Sequence, residues 1–410
     1  MTESAPTRAT QSSWMVSSGA TRAGIAFASN LVLVRFIAPE QFGEFALALA
    51  AIGMFETVIS LRVGLQVLRL RDEELDAHRR RIYWNVLLYE VAAAGTLSAL
   101  WLWLSGSLSL WTGLLLAGML TQHWIGHTTA FFERQQPYRR LAALEAGSAV
   151  IAHALAVGLV LFGAGAAALY LRELALGLLL VGSMAAVGGL HRERLYWLGS
   201  EDWRRLLREV RGIWLEGVLD GAFQRVSLLL AGAVGTAGAV GFFYQARRLA
   251  FVPQQLLAPV TGRMTLTWLS GESEPAAQRR LLRRLGMGLA LPLAGVAALS
   301  LGYAEVIIPL LFGDGWRPAA KLLESMTGVI VFYSLFGVMK TYLIATRRMR
   351  LLLAARLLQW AALLIPLAPW LFGSAVGVEQ IAMGLSLSYM LSFAVCLVFA
   401  TRTDSARTSG

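Results

Sequence analysis

Twelve runs of mostly apolar residues, separated by charged or turn-rich breaks, constrain this chain more than any other feature. They cover roughly residues 13–36, 43–67, 82–104, 108–131, 142–162, 166–190, 212–234, 238–262, 285–308, 319–345, 351–372 and 375–400. Each is about the 20 residues that an α-helix needs to cross a hydrocarbon core. Divided among the connections, the rest of the 410 residues is too little for a soluble domain of ordinary size. Composition agrees, with 57% hydrophobic and only 15% charged residues, against about 25% charged in a soluble domain. Breaks of two or three residues, Ser105-Gly106-Ser107 and Gly373-Ser374, make hairpins of spans three and four and of spans eleven and twelve.

Arginine tests the span count. The formal charge is +11, from 34 Arg and 2 Lys (Lys321 and Lys340) against 25 acids. On a soluble chain that balance would suggest nucleic acid. Here it sorts by loop, and no nucleic-acid partner is expected. The connections after spans two, four, six, eight and ten hold 22 of the 36 basic residues, whereas those on the other side hold essentially one, Arg317. Basic residues accumulate in cytoplasmic loops, so both termini are expected in the cytoplasm. Trp101, Trp103, Trp111, Trp316 and Trp370 fall at outer ends, and Trp84, Trp197, Trp203 and Trp268 at inner ends, as interfacial aromatic belts require. The polar start, Met1 to Gln11, lacks the short apolar run of a signal peptide, so the first span is expected to be uncleaved. A single cysteine, Cys396, excludes an intrachain disulfide.

Two inner connections read as basic amphipathic helices lying on the membrane surface. Residues 200–211 have Ser200 as a cap with Glu201 and Asp202 in the first turn, and residues 273–285 begin Ser273, Glu274, Pro275. An internal repeat also shows. Gly43-Glu44-Phe45-Ala46-Leu47-Ala48 and Gly241-Phe242-Phe243-Tyr244-Gln245-Ala246 share Gly-x-Phe-x-x-Ala at an offset of 198. Six spans separate the copies, an even number, so the halves share orientation about an axis along the membrane normal. The expected architecture is all-α, with about twelve transmembrane helices in two pseudo-symmetric six-helix lobes around a central cavity. The N-terminal lobe would cover 1–190, a basic linker 191–211 and the C-terminal lobe 212–410.

Three segments resemble a known family. The turn Ala38-Pro39-Glu40-Gln41-Phe42-Gly43 is similar to the Gly-Pro-Glu-Glu-Phe-Gly turn after the leading helix of bacterial polysaccharide-biosynthesis flippases. These belong to the multidrug/oligosaccharidyl-lipid/polysaccharide exporter superfamily. Gly241 to Ala250 resembles the family's Gly-x-Tyr-x-x-Ala-x-Arg segment, with Arg248 on its arginine, and Leu311 to Ala319 resembles its Phe-Gly-x-x-Trp-x-x-Ala turn. Where many members carry Asp-Arg or Asp-Lys in the seventh span, this chain has Gln224-Arg225 and places an acid at Asp220. The resemblance implies a two-lobed bacterial inner-membrane flippase for undecaprenyl-diphosphate-linked oligosaccharides, working by alternating access. It further implies membrane lipids, polysaccharide polymerase and chain-length proteins as partners, and H+ or Na+ as a coupling ion.

Ionisable groups inside a bilayer cost about 2.5–3.5 kcal/mol each on insertion scales and mark cavities or ion partners. The mid-span bases are Arg22, Arg62, Arg225, Arg247 and Arg248, with Lys340 and Arg356 nearer inner ends; the acids are Glu56, Glu90, Glu145, Glu173, Glu216 and Asp220. Pyrophosphate suits the fork-shaped donors of Arg. Arg22, Arg225 and Arg248, with Arg247 and Arg62, are therefore candidate pyrophosphate ligands, and Asp220, Glu216 and Glu56 candidate gating or coupling groups. Arg22 and Asp220 are repeat-equivalent and would pair between lobes in one access state; a local ion pair is the alternative for each arginine. Arg172 and Glu173, being adjacent, are expected to point to different sides of their helix without a transport role.

His123 and His127 share a helix face at i, i+4, but position 124 is Trp where a metalloprotease motif has Glu. With no third ligand in view, they read as packed polar groups, with no metal and no cofactor expected. No phosphate-binding loop, Gly-x-Ser-x-Gly elbow or Cys-x-x-Cys occurs, so an enzyme is not expected. A drug antiporter would centre on acids, and a membrane glycosyltransferase or polymerase would need a sizeable outer loop. A non-transporting assembly scaffold stays open.

Overall fold

The computed structural model describes residues 8–135, 138–272 and 274–402. The first seven residues of the polar start, the Ser273 cap and the Trp370 side chain lie outside the described residues. Helices follow one another in the order α1 (Arg8–Phe36), α2 (Pro39–Ile59), α3 (Val63–Arg69), α4 (Ala77–Leu104), α5 (Leu110–Glu133), α6 (Tyr138–Leu161), α7 (Ala167–Ala186), α8 (Ser200–Val234) and α9 (Ala237–Pro259). Then come α10 (Thr265–Gly271), α11 (Pro275–Phe312), α12 (Ala319–Ser325), α13 (Thr327–Ala345), α14 (Met349–Leu364), α15 (Ala368–Leu371) and α16 (Val378–Arg402). No strand occurs among the described residues.

Among those residues, nine helices are long and apolar enough to cross a membrane: α2, α4, α6, α7, α8, α11, α13, α14 and α16. The other three expected spans are α1, α5 and α9, helices of 29, 24 and 23 residues. They carry Arg22, the His123–His127 pair and the Arg247–Arg248 pair, and these polar groups dilute their apolar windows. The protein is thus an all-α, multi-pass membrane protein with about twelve transmembrane helices.

Three boundaries differ from the sequence expectation. Span two breaks after Ile59 and resumes at Val63, because Arg62 takes a left-handed conformation at φ 58° and the freed Leu61 N–H donates to the Glu90 carboxylate at 2.7 Å. Residues 200–211 are not a separate surface helix. They run without a break into α8, since no proline interrupts the run and a break would leave four carbonyls unpaired. Leu206 and Val210 sink into a core with Val63, Val67, Ile82, Tyr83 and Val86, while Arg204, Arg205 and Arg208 stay exposed. The second basic stretch likewise continues into α11. At the start of α8 the Gly199 N–H donates to Asp202, so Asp202 reaches back from the third position and caps the helix in place of Ser200. The α4–α5 hairpin turns on Gly106, at φ +66°, and restarts in a Ser109–Thr112 capping box.

The chain divides into two compact units, Met1–Ile37 with Phe45–Val226, and Ala38–Glu44 with Ser227–Gly410. In the first, α4 packs on α5, α5 on α7, and α6 on both α1 and α7. In the second, α11 packs on α13, α13 on α16 and α14 on α16. Taken in chain order, α4, α5, α6 and α7 match α11, α13, α14 and α16, so the internal repeat holds as packing. Residues 191–199 are strapped along α4. Trp84 Nε1 donates to the His191 carbonyl, Asn85 Nδ2 to the Arg194 carbonyl, and the Tyr196 N–H donates back to Asn85 Oδ1, all at 2.9–3.0 Å. Trp84, expected in a lipid-facing belt, is buried here at 9% exposure because its indole holds this strap.

Candidate functional site

In the first unit, small residues let guanidinium groups lie against helix backbone. Arg62 leaves the α2–α3 break and donates from Nη2 to the Gly217 carbonyl of α8 at 3.2 Å. A Cβ on Gly217 would stand 2.8 Å from Arg62 Nε, and one on Gly53 would stand 2.7 Å from the Arg225 guanidinium. A Cβ on Gly221 would stand 2.6 Å from Thr57. Together these contacts put α2 and α8 in close apposition. Glu56 lies three residues beyond Gly53, and Glu216 and Asp220 flank Gly217 and Gly221, all half-buried. Five sequence candidates, Arg62, Arg225, Glu56, Glu216 and Asp220, are therefore assembled on α2, the break after it, and α8.

Arg22 is placed otherwise. Its Nη1 lies 3.2 Å from Glu145 Oε2 on α6, a local pair with a partly exposed arginine, in place of the Asp220 partner that repeat symmetry suggested. Arg172 and Glu173 also correct the sequence expectation. Their side chains do not diverge; Arg172 Nη2 meets Glu173 Oε1 at 2.6 Å, and Gln122 of α5 donates to the Glu173 carbonyl at 2.9 Å. Both side chains are long enough to fold back toward each other. His123 finds the partner that its own helix lacked, Glu90 of α4, at 2.9 Å.

The second unit holds Arg247 and Arg248 on α9. The Arg247 guanidinium sits over the Phe251 ring at 4.6 Å, and Phe251 packs on Tyr333, which packs at a tilt on Tyr389 with centroids 4.6 Å apart. Such a floor holds the cation in an apolar setting and fixes its direction. Arg248 is half-buried beside it. Arg356, named among the in-span bases but not among the candidate ligands, is only 2% exposed, donates to Gln359 at 2.8 Å and lies over Phe336. Its i, i+3 spacing from Gln359 was the available signal. A cavity of about 310 Å³ opens among α11, α13 and α16, lined by Met287, Leu335, Met339 and Phe393 with Arg279 and Arg283.

The three resemblance motifs meet in this unit. Trp316, 3% exposed, is ringed by Phe42, Phe242 and Phe312 with centroids 5.5–6.1 Å away. Trp316 is therefore a packing centre and not a lipid-belt residue, as its position at a span end had suggested. Beside the cage, a Cβ on Gly43 would overlap the Ala237 carbonyl, and one on Gly241 would overlap the Pro39 carbonyl. The two glycines of the internal repeat thus serve reciprocal backbone contacts.

A family model described as polysaccharide biosynthesis protein matches residues 32–321. The chain belongs to that family. No curated protein matches this family member. Among solved structures it is similar to the lipid II flippase MurJ in an inward closed conformation, at TM-score 0.70 and 12% identity, over 94% of this chain and 87% of that one. A MATE transporter from Vibrio cholerae matches at TM-score 0.60 and 14% identity, over 97% of each chain. An outward-facing MATE transporter of the MOP superfamily matches at TM-score 0.59 and 14% identity, over 97% of this chain and 96% of that one. This polysaccharide biosynthesis family member thus has the fold of MOP-superfamily transporters.

Proposed function

We propose that the protein is a flippase that carries a polyprenyl-diphosphate-linked oligosaccharide, the repeat unit of an O-antigen, capsule or exopolysaccharide, from the cytoplasmic to the outer leaflet by alternating access. The observation that carries this reading is the polysaccharide-biosynthesis match over residues 32–321 on a transporter fold. Arg22, Arg62, Arg225, Arg247 and Arg248 take the pyrophosphate in turn, since forked donors in a low-dielectric interior suit a diphosphate better than water-exposed ones. Glu56, Glu216 and Asp220 neutralise Arg62 and Arg225, which stand with them in the first unit, when the site is empty, and couple the cycle to H+ or Na+. The cavity beside Arg279 and Arg283 accepts the start of a prenyl chain, with guanidinium groups near its phosphate. The protein works as a carrier and not as an enzyme, in the bacterial inner membrane with both termini cytoplasmic, alongside a polymerase and chain-length proteins.

Deletion of the gene tests this. Surface glycan should fall and the lipid-linked repeat unit should accumulate. Arg225→Gln should fail to complement while reaching the membrane in normal amount. Normal surface glycan with no accumulated intermediate would overturn the proposal.

A further inference from the structure

Three ligand-type side chains outside the arginine set meet inside the first unit. His123 and His127 stand one turn apart on α5, with ring centroids 4.6 Å apart, and Glu90 of α4 lies against them. Glu90 is 3% exposed. The Leu61 N–H donates to its Oε1 at 2.7 Å, which fixes the carboxylate and turns Oε2 to His123 Nε2 at 2.9 Å. His127 Nδ1 lies 2.9 Å from the His123 carbonyl. Only an N–H can serve a carbonyl, so Nδ1 carries a proton, and in the neutral ring Nε2 keeps its lone pair. That Nε2 faces Ser60 Oγ at 3.4 Å. One ligand atom from each of Glu90, His123 and His127 lies within 4.8 Å of the other two.

A tautomer set by a backbone carbonyl, a carboxylate aimed by a backbone amide, and a buried Glu90 beside two half-buried histidines are the supports that metal-binding histidines and carboxylates carry. Ligands around one Zn2+ at 2.0–2.2 Å stand about 3.4 Å apart, so side-chain rotation alone closes the site. We infer that Glu90, His123 and His127 bind a transition-metal dication of the Zn2+ class, with the Ser60 hydroxyl or a water in the fourth position. Two imidazoles and one carboxylate select Zn2+, Co2+ or Ni2+ over Na+, Mg2+ and Ca2+, which take oxygen ligands. The ion ties the α2–α3 break, from which Arg62 reaches α8, to the α4–α5 hairpin.

The test uses tag-free, full-length protein in detergent, stripped with chelator and titrated with Co2+ while visible absorption is followed. One Co2+ per chain should bind with a tetrahedral-type spectrum, be displaced by Zn2+, and ignore excess Na+ or Mg2+. His127→Gln and Glu90→Gln should each weaken binding by about 100-fold or more, and His78→Gln, a histidine outside the site, should leave it unchanged. Because a buried ligand variant can fail to fold, Zn-edge X-ray absorption of the wild type gives a second reading. It should show two imidazole nitrogens at about 2.0–2.1 Å. Absent stoichiometric Co2+ binding, an unchanged affinity in His127→Gln, or an edge spectrum without imidazole scattering each overturns the inference. The flippase proposal does not enter this titration, so the two can fail separately.

Discussion

Replacing Gly241 by Ala puts a methyl group where the Pro39 carbonyl already stands, and Gly43→Ala does the same against Ala237. The obstacle in both cases is backbone, so no rotamer change relieves it and the first turns of α2 and α9 must separate. Overpacking of this kind costs about 1–3 kcal/mol, with rigid neighbours at the upper end. Alanine recovers about 1 kcal/mol of helix propensity over glycine, which leaves a net loss of about 1–2 kcal/mol. In α1, Gly24 has nothing within 4 Å of an added Cβ, so Gly24→Ala keeps the propensity gain alone. For a unit of this size, about 2–4 °C of melting temperature corresponds to 1 kcal/mol. Thermal scans in detergent, read as loss of the monodisperse chromatographic peak, should therefore show Gly241→Ala about 2–8 °C below wild type and Gly24→Ala at or above it. A Gly241→Ala protein that melts with the wild type, or a Gly24→Ala protein that falls equally, would refute the reasoning.

Further expectations follow from the same geometry. Trp316→Ala empties the cage of Phe42, Phe242 and Phe312 and should cost about 3–5 kcal/mol, with Trp316→Phe costing visibly less in the same melting assay. Arg22 and Glu145 form a partly exposed pair, so exchanging the two charges should restore whatever complementation either single reversal loses, with coupling below about 1 kcal/mol; no recovery in the double variant counts against the pairing. Burial holds the His191 imidazole below its ordinary range, against the opposing pull of Glu193 at 3.1 Å. Such a group stabilises the fold above its unfolded pKa of about 6.5 and loses that contribution as pH falls through its lower folded value. Hydrogen exchange in residues 190–199, corrected for intrinsic rates, should quicken from pH 7 to pH 5 in the wild type. In His191→Phe, which keeps the stack on Phe131, that extra dependence should vanish; equal behaviour in both proteins refutes the assignment.

Much of the candidate site was visible as residue types at depth, yet almost none of its pairing was. Arg62, Arg225, Glu56, Glu216 and Asp220 stand out in any reading of charges inside apolar runs, but the glycines at 53 and 217 that let guanidinium groups reach backbone carry no label of their partners. Trp316 and Trp103 both sit near span ends. One is caged and the other is exposed, because a tryptophan near a helix end has the same local sequence whether lipid or protein lies across from it. Arg172 and Glu173 failed a simple angular argument because long flexible side chains can reach across the roughly 100° that separates neighbours on a helix.

Length, hydropathy and the alternation of arginine determined the helical membrane fold and its span count from the sequence alone. Hydrocarbon makes those demands on each segment separately, one helix at a time. The Gly-x-Phe-x-x-Ala repeat was equally legible as a pattern. Only tertiary structure decided what the pattern is for, which arginine meets which acid, and that Glu90 completes a cluster with His123 and His127. Those outcomes depend on the rotation and crossing of helices far apart in the chain, which many arrangements of the same apolar faces would satisfy until side chains of particular size are packed together.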